Sequence, residues 1–226
     1  MRTYRLYGYW RSSASWRVRA ALAFKGLRFE TVPVHLMKDG GEHHLAPYAA
    51  KNPLETVPLL EVLEDGVVTL RLAESLAIIE FLEETVPNPP LLPGTPAQRA
   101  HTRWLAEIIN SGIHPLQNLS TLQELETSYG ASAAQKKAWA QRFIRRGLKA
   151  VEARLQATAG TYCMGGQLTV ADLCLLPQIY NARRYGVALH AYPVTMRVVA
   201  NLEKHPVLVA SDPSRQPDTP AEERRA

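Results

Sequence analysis

Cysteine is scarce in this chain. The only two among 226 residues are Cys163 and Cys174, separated by ten residues in an apolar neighbourhood. Such a pair supports neither a disulfide framework nor zinc-ligand spacing, and reads as two core thiols. Long apolar runs are missing too. No stretch approaches the roughly 20 residues of a membrane span, and the opening MRTYRLYGYW has no signal-peptide core. The cytoplasm is therefore the expected compartment, with neither membrane nor metal as a partner. The formal charge is +5, and its distribution argues against nucleic acid. Residues 1–86 carry 10 Lys/Arg against 11 Asp/Glu, while residues 87–226 carry 16 against 10, scattered and without a zinc, RNP or helix-turn-helix signature. A diffuse positive excess suits small acidic ligands better. What remains, 46% apolar and 21% charged residues, is an ordinary soluble composition with material for one sizeable core or two small ones.

The first part alternates strand and helix patterns. YRLYGY has period two, Val18, Ala21, Leu22 and Lys25 follow helical spacing, and Gly26 stands at the C-terminal cap position. FETVPVHL is a second strand, so the unit suits a right-handed parallel crossover. VPLLEVL and VVTLRL flank an Asp65-Gly66 hairpin signal. SLAIIEFLEE then predicts a helix with Leu76, Ile79 and Leu82 on one stripe. The order β-α-β-α-β-β-α is an α/β layer pattern. VPNPPLLPGTP ends it, because five prolines in residues 86–96 cannot continue a helix. Beyond it everything predicts helix. Leu105, Ile108, Ile109, Gly112, Ile113 and Leu116 trace one face, kinked at Pro115, and Ile144, Gly147, Leu148, Val151 and Leu155 trace another. TVADLCLLPQIYNARR predicts a buried central helix opened by a Thr169–Asp172 capping box. The expected domains are 1–86, a linker at 87–96, a helical domain at 97–211 and an irregular tail at 212–226.

The stretch RSSASWR, residues 11–17, sets three serines at a strand-to-helix junction. One serine suffices for a cap. Thioredoxin-like domains place a reactive sulfur at this helix start, where free amides and the dipole favour an anion. Here Ser12-Ser13-Ala14-Ser15 replaces C-x-x-C, so the thiol is expected to come from outside, with glutathione the obvious source. Lowering a thiol from about 8.5 to about 6.5 takes roughly 2.7 kcal/mol. One charge-assisted hydrogen bond supplies about 1.5–3 kcal/mol and a helix N-terminus about 0.3–1.

RSSASWRVRAALAFKG, HLMKDGGEHH, NPLETVPLLE, ESLAIIEFLEE, HPLQNLSTLQ, TVADLCLLPQ and RQPDTP together resemble the maleylacetoacetate isomerase family, the zeta class of glutathione transferases. The resemblance runs in order over nearly the whole chain. It implies a thioredoxin-like α/β N-terminal domain and an all-α C-terminal domain, in a homodimer. It also implies glutathione contacts at Ser12, Ser13, Ser15, Trp16 and Arg17, with Ser12 foremost among the activating hydroxyls, then Ser13 and Ser15. Val57 is expected to pair with the cysteinyl part of the peptide beside a cis Pro58, and Glu74 and Ser75 to meet its γ-glutamyl end. His43, His114, Asn118 and Ser120 fall at further contact positions. Arg11 and Arg184 would take the carboxylates of a small dicarboxylate substrate, to which arginine's planar fork is suited. Three positions depart from the family: Ala14 stands for its usual cysteine, Glu74 for glutamine, and His114 for a frequent glutamine.

The activity implied is glutathione-dependent cis-trans isomerisation of maleylacetoacetate in tyrosine and phenylalanine catabolism, by reversible thiolate addition to the double bond. Two alternatives share the cofactor: isomerisation of maleylpyruvate, and conjugation of glutathione to halogenated acids. A binding module without catalysis is the third.

Overall fold

The computed structural model describes residues 1–224. The chain divides into two compact units, one built from residues 1–90 together with the segment from Pro206 onward, the other from residues 91–205. In the first unit β1 (Arg2–Gly8), α1 (Ser13–Phe24), β2 (Phe29–Pro33), α2 (Ala46–Ala49), β3 (Leu59–Glu64), β4 (Val67–Ala73) and α3 (Ser75–Thr85) follow in order. The sheet order is β2-β1-β3-β4, with β1 and β2 parallel and the other pairs antiparallel. The parallel crossover through α1 and the hairpin at Asp65-Gly66 are as expected, the latter with φ of 50° and 84°.

Period two decides the two faces of the sheet. Tyr4 and Leu6 of β1 are buried on one, while Arg5 and Tyr7 on the other gather round Glu61. Glu61 sits mid-sheet, 1% exposed. Burial alone would raise its carboxyl, but hydrogen bonds from Arg71 (2.9 Å) and Arg5 (3.0 Å) hold it below the ordinary range. On α3 the buried stripe is Ser75, Ile78, Ile79 and Leu82, with Leu76 only half-buried. Gly26 ends α1 at φ 67°, with Leu27 N–H donating to Leu22 O at 2.9 Å. Lys25, just before it, is buried and reaches Val86 O (2.6 Å), Pro89 O (3.1 Å) and Glu83 (2.8 Å), fixing the start of the proline-rich segment to the helix end.

The expected helical domain ran to residue 211, but α10 (Pro206–Ala210) packs on α1 in the first unit. Leu208 is buried there, and Ser211 takes a hydrogen bond from Trp16 Nε1 at 3.1 Å. The tail expected at 212–226 is irregular apart from two 3-10 turns, Pro213–Arg215 and Ala221–Glu223. It is nevertheless specifically bonded, and Ser214, Gln216 and Thr219 are buried. Its last two residues lie outside the described ones.

The second unit holds α4 (Pro96–Asn110), α5 (His114–Gln117), α6 (Leu119–Tyr129), α7 (Ala133–Thr158), α8 (Val170–Arg184) and α9 (Pro193–Leu202). The single kinked helix expected across residues 105–116 is instead α4, a turn and α5. Pro115 has no N–H to offer Ser111 O and its ring crowds that carbonyl, so the ladder stops at the turn, whereas within the first turn of α5 its missing N–H costs nothing. α8 is buried almost throughout, as its all-round apolar pattern predicts. Asp172 secures its start: Oδ2 accepts from Thr169 N–H and Oγ1–H, both at 2.8 Å, and Oδ1 from Cys163 N–H at 2.8 Å. Glu152 of α7 does the same for α9, accepting from the Val194 and Thr195 amides at 3.0 and 2.8 Å.

Gly147 of α7 lies against Ile113, in the turn between α4 and α5. A Cβ there would lie 2.2 Å from Ile113 Cγ1 and 2.3 Å from Cδ1, and Ile113 is fully buried. Gly147→Ala gains about 1 kcal/mol of helix propensity and loses about 1–3 kcal/mol to overpacking. Ile113 is β-branched and fully buried, so the loss is expected to win. A fall in thermal midpoint is the expected outcome, and an unchanged or higher midpoint would show that Ile113 can turn away.

Candidate active site

The register of the first unit brings three chain segments to one end of the sheet. Leu59 pairs with Tyr7 on one side and Ala73 on the other. The residues just beyond these partners are Val57-Pro58, the Gly8–Ser12 loop and Glu74-Ser75. The Val57–Pro58 peptide is cis. Helices α1 and α3 both begin at this end, so their first-turn amides and the positive ends of their dipoles are presented there together. Arg17 of α1 ties the two starts by donating to Ser75 Oγ at 3.3 Å.

The three serines have different roles. Ser12 is the N-cap of α1: its Oγ accepts from Ser15 N–H at 3.2 Å. A hydroxyl carries one O–H and two acceptor sites, so capping uses an acceptor and leaves the proton for an anion. Ser12 is half-buried, and Ser13 is buried at 5% exposure. Ser15, expected among the activating hydroxyls, has no exposed surface. Its Oγ accepts from Tyr9 N–H at 3.4 Å and would touch a side chain added at Gly8. Trp16 and Arg17, also expected among the contacts, follow in the first turns of α1. Their side chains are 3% and 1% exposed, the indole N–H bonded to Ser211 and the guanidinium reaching Ser75.

Glu74 precedes α3 with φ 65° and ψ 113°, a left-handed conformation uncommon for a residue with a Cβ. Its side chain is exposed while Ser75 is 4% exposed. Strain of this kind, about 1–3 kcal/mol, persists where surroundings impose it and clusters at ligand sites. Arg11 rests over the Trp10 ring, 5.3 Å from its centroid. His43 lies in the loop between β2 and α2, whose base is closed by bonds between His35 and Glu42 at 2.7 and 2.8 Å. Burial and the neighbouring His44 push its imidazole below the usual range, and its Nδ1 is buried without a hydrogen-bond partner.

The remaining expected residues belong to the second unit. His114 begins α5 and is half-buried. Asn118 caps α6, with its Oδ1 accepting from Leu119 N–H at 2.8 Å, so its oxygen is engaged. Ser120 is exposed in the first turn of α6. Arg184 ends α8 exposed, with one nitrogen 3.2 Å from Asn181 Oδ1, and Arg183 pairs with Glu203. Sequence reasoning missed the pair that joins these helices. Gln117 and Gln178 exchange two hydrogen bonds of 3.1 Å in the core, and Tyr185 O–H donates to Gln117 O at 3.3 Å. The only local signal is a glutamine within each apolar stretch. Among the described residues no group of three His, Cys, Asp or Glu side chains could hold a metal ion, and no helix is long and apolar enough to cross a membrane.

Two family models match the chain: the glutathione S-transferase N-terminal domain over residues 6–90 and the C-terminal domain over residues 120–210. A maleylacetoacetate isomerase of Mus musculus is 46% identical over 219 residues, covering 97% of this chain and 96% of that protein. A maleylacetoacetate isomerase from Anaeromyxobacter dehalogenans, solved with glutathione bound in its active site, superposes with a TM-score of 0.87 at 44% identity, covering 97% and 99% of the two chains. The same enzyme has also been solved with dicarboxyethyl glutathione and citrate in the active site. A bacterial zeta-class maleyl pyruvate isomerase in its holo form gives a TM-score of 0.89 at 38% identity, covering 96% of this chain and all of that one.

Proposed function

The chain belongs to the glutathione S-transferase family, alongside the maleylacetoacetate isomerases, and on that footing we propose that it is a glutathione-dependent cis-trans isomerase acting on maleylacetoacetate. The observation that carries the chemistry is that Ser12 Oγ caps the helix as an acceptor, which leaves its hydroxyl proton to be donated to an anion. The residues present fit glutathione. Ser12 and the first amides of α1 would hold its sulfur as an anion, the Val57 backbone its cysteinyl part, and Glu74 with Ser75 its γ-glutamyl end. Glu74 offers a carboxylate to the ammonium, and Ser75, already accepting from Arg17, keeps its own proton for the carboxylate.

Glutathione supplies a thiolate that adds reversibly to a double bond conjugated with carbonyls and is recovered at the end. The chain's part is electrostatic. Ser12 and the α1 amides would favour the anion over the thiol, and Arg11 would offer a fork to a substrate carboxylate. The binding of dicarboxyethyl glutathione and citrate by the related bacterial enzyme supports a dicarboxylate substrate. The same reading makes the protein a cytoplasmic homodimer in tyrosine and phenylalanine breakdown.

The likeness to maleyl pyruvate isomerase, at 38% identity against 46% for the Mus musculus maleylacetoacetate isomerase, favours a second substrate of the same chemistry. One assay decides among these readings. With catalytic glutathione, maleylacetoacetate is expected to be converted to the trans product faster than maleylpyruvate, and all the glutathione to be recovered. Stoichiometric loss of glutathione would instead establish conjugation, and conversion independent of glutathione would overturn the reading.

A further inference from the structure

The loop ahead of the serines is held from the other end of the chain. Trp10 N–H donates to Asp218 Oδ2 at 2.8 Å, across 208 positions of sequence. The Trp10 carbonyl accepts from Arg19 at 2.9 Å, and the Tyr9 carbonyl from Arg19 at 3.4 Å and from Ser12 N–H at 3.0 Å. Arg19 is 3% exposed, and its Nε reaches Ser211 O at 3.3 Å. Asp212 and Asp218 supply the counter-charge to this buried guanidinium. Both backbone polar groups of Trp10 are thus bound, one by the tail itself and the other by an arginine that the tail also holds.

The tail is shaped for this. Asp212 Oδ1 accepts from Ser214 N–H at 2.8 Å and Ser214 O–H at 2.6 Å, Gln216 Nε2 donates to Asp212 O at 2.8 Å, and Thr219 O–H donates to Pro213 O. These bonds fold residues 212–219 into a closed turn that presents the Asp218 carboxylate. On the other side of the contact, Trp10 carries Arg11 on its ring face and precedes Ser12 by two residues.

We propose that the segment from Ser211 to Thr219 is a clamp that sets the position of Arg11 and Ser12, with Asp218 as a positioning residue for thiol activation and carboxylate binding. The inference rests on the function proposed above. Its physical basis is preorganisation: displacing a binding group by about 1 Å can cost about 100-fold in rate, and a loop released from one charge-assisted bond gains freedom of that order.

The test compares Asp218→Ala, Asp218→Asn and Asp218→Glu with Glu222→Gln, an exposed tail residue, as control. Ultraviolet absorbance of the bound thiolate against pH, kcat and KM, thermal midpoint and amide hydrogen exchange of residues 9–12 are read for each. Asp218→Ala is expected to lower kcat/KM about 10- to 100-fold, raise the apparent thiol pKa and expose the 9–12 amides. Asp218→Asn, which keeps an acceptor oxygen, is expected to stay within about threefold of wild type. A merely structural aspartate would lower the midpoint and leave the thiol titration unmoved, and that result in the folded variant overturns the clamp. Should the alanine variant not fold, Asp218→Glu carries the test, since its extra methylene shifts the acceptor while keeping the charge. A wild-type protein that fails to lower the thiol pKa of glutathione overturns the proposed function. The positional part is then judged by hydrogen exchange alone, where unchanged protection in Asp218→Ala overturns it.

Discussion

Asp172→Ala is expected to lose about 3–5 kcal/mol of folding stability, a large fraction of the roughly 5–15 kcal/mol that a folded domain has. Asp172 is fully buried and accepts from the Cys163 amide, the Thr169 amide and the Thr169 hydroxyl. Alanine strands all three donors at the start of the helix on which the second unit packs, each at about 1–3 kcal/mol. Urea unfolding measures the loss, and a cost under 1 kcal/mol would mean that water or another acceptor reaches the site. Asp172→Asn keeps an oxygen and is expected to lose less. It also removes a pH effect. Burial raises the Asp172 carboxyl above its ordinary value near 3.8, despite bonds from Cys163 and Thr169 that pull the other way. The native state therefore holds its proton to higher pH than the unfolded chain. Stability from this group is fully present below the unfolded value and is lost as pH rises through the folded one. The asparagine variant should lack that decline.

Local signals carried most of the fold. The crossover, the Asp65-Gly66 hairpin, the Gly26 cap and the Thr169–Asp172 start each depend on residues a few positions apart, where dihedral preference and period act directly. Three kinds of feature were not legible. Which serine faces inward depends on helix phase and on what packs there: Ser15 is fixed by Tyr9 and Gly8, whereas Ser12 precedes the first turn. Glu61 looks like an ordinary strand charge until Arg5, Tyr7 and Arg71 converge on it. The Asp218, Arg19 and Trp10 contacts join segments far apart in sequence, and a polar tail has no periodicity to announce its partners. The site's chemistry was thus visible as residue types, and its supporting bonds only in three dimensions.

The Ser12 variants separate helix capping from the proposed thiol activation, because the two uses would draw on different parts of one hydroxyl. Ser12→Ala loses both. It is expected to cost about 1 kcal/mol of stability, the usual price of an N-cap, and to lower kcat/KM about 10- to 150-fold, the equivalent of one hydrogen bond to a charged group. Ser12→Gly retains most of the capping preference, costing only a few tenths of a kcal/mol, yet has no proton to donate. It should match alanine in activity and nearly match wild type in thermal midpoint. Ser12→Thr keeps a capping oxygen and a proton, so it should approach wild type in both unless its methyl obstructs the ligand. The bound thiol, titrated by ultraviolet absorbance, should rise by about 1–2 pKa units in the alanine and glycine variants, since each unit corresponds to 1.36 kcal/mol. Because Ala14 has no side-chain donor and Ser15 has no exposed surface, only Ser13 and the α1 amides remain to stabilise the anion. If Ser12→Gly retained wild-type activity with an unshifted thiol, Ser12 would be a cap alone, and Ser13→Ala would be the next variant to lose the thiolate.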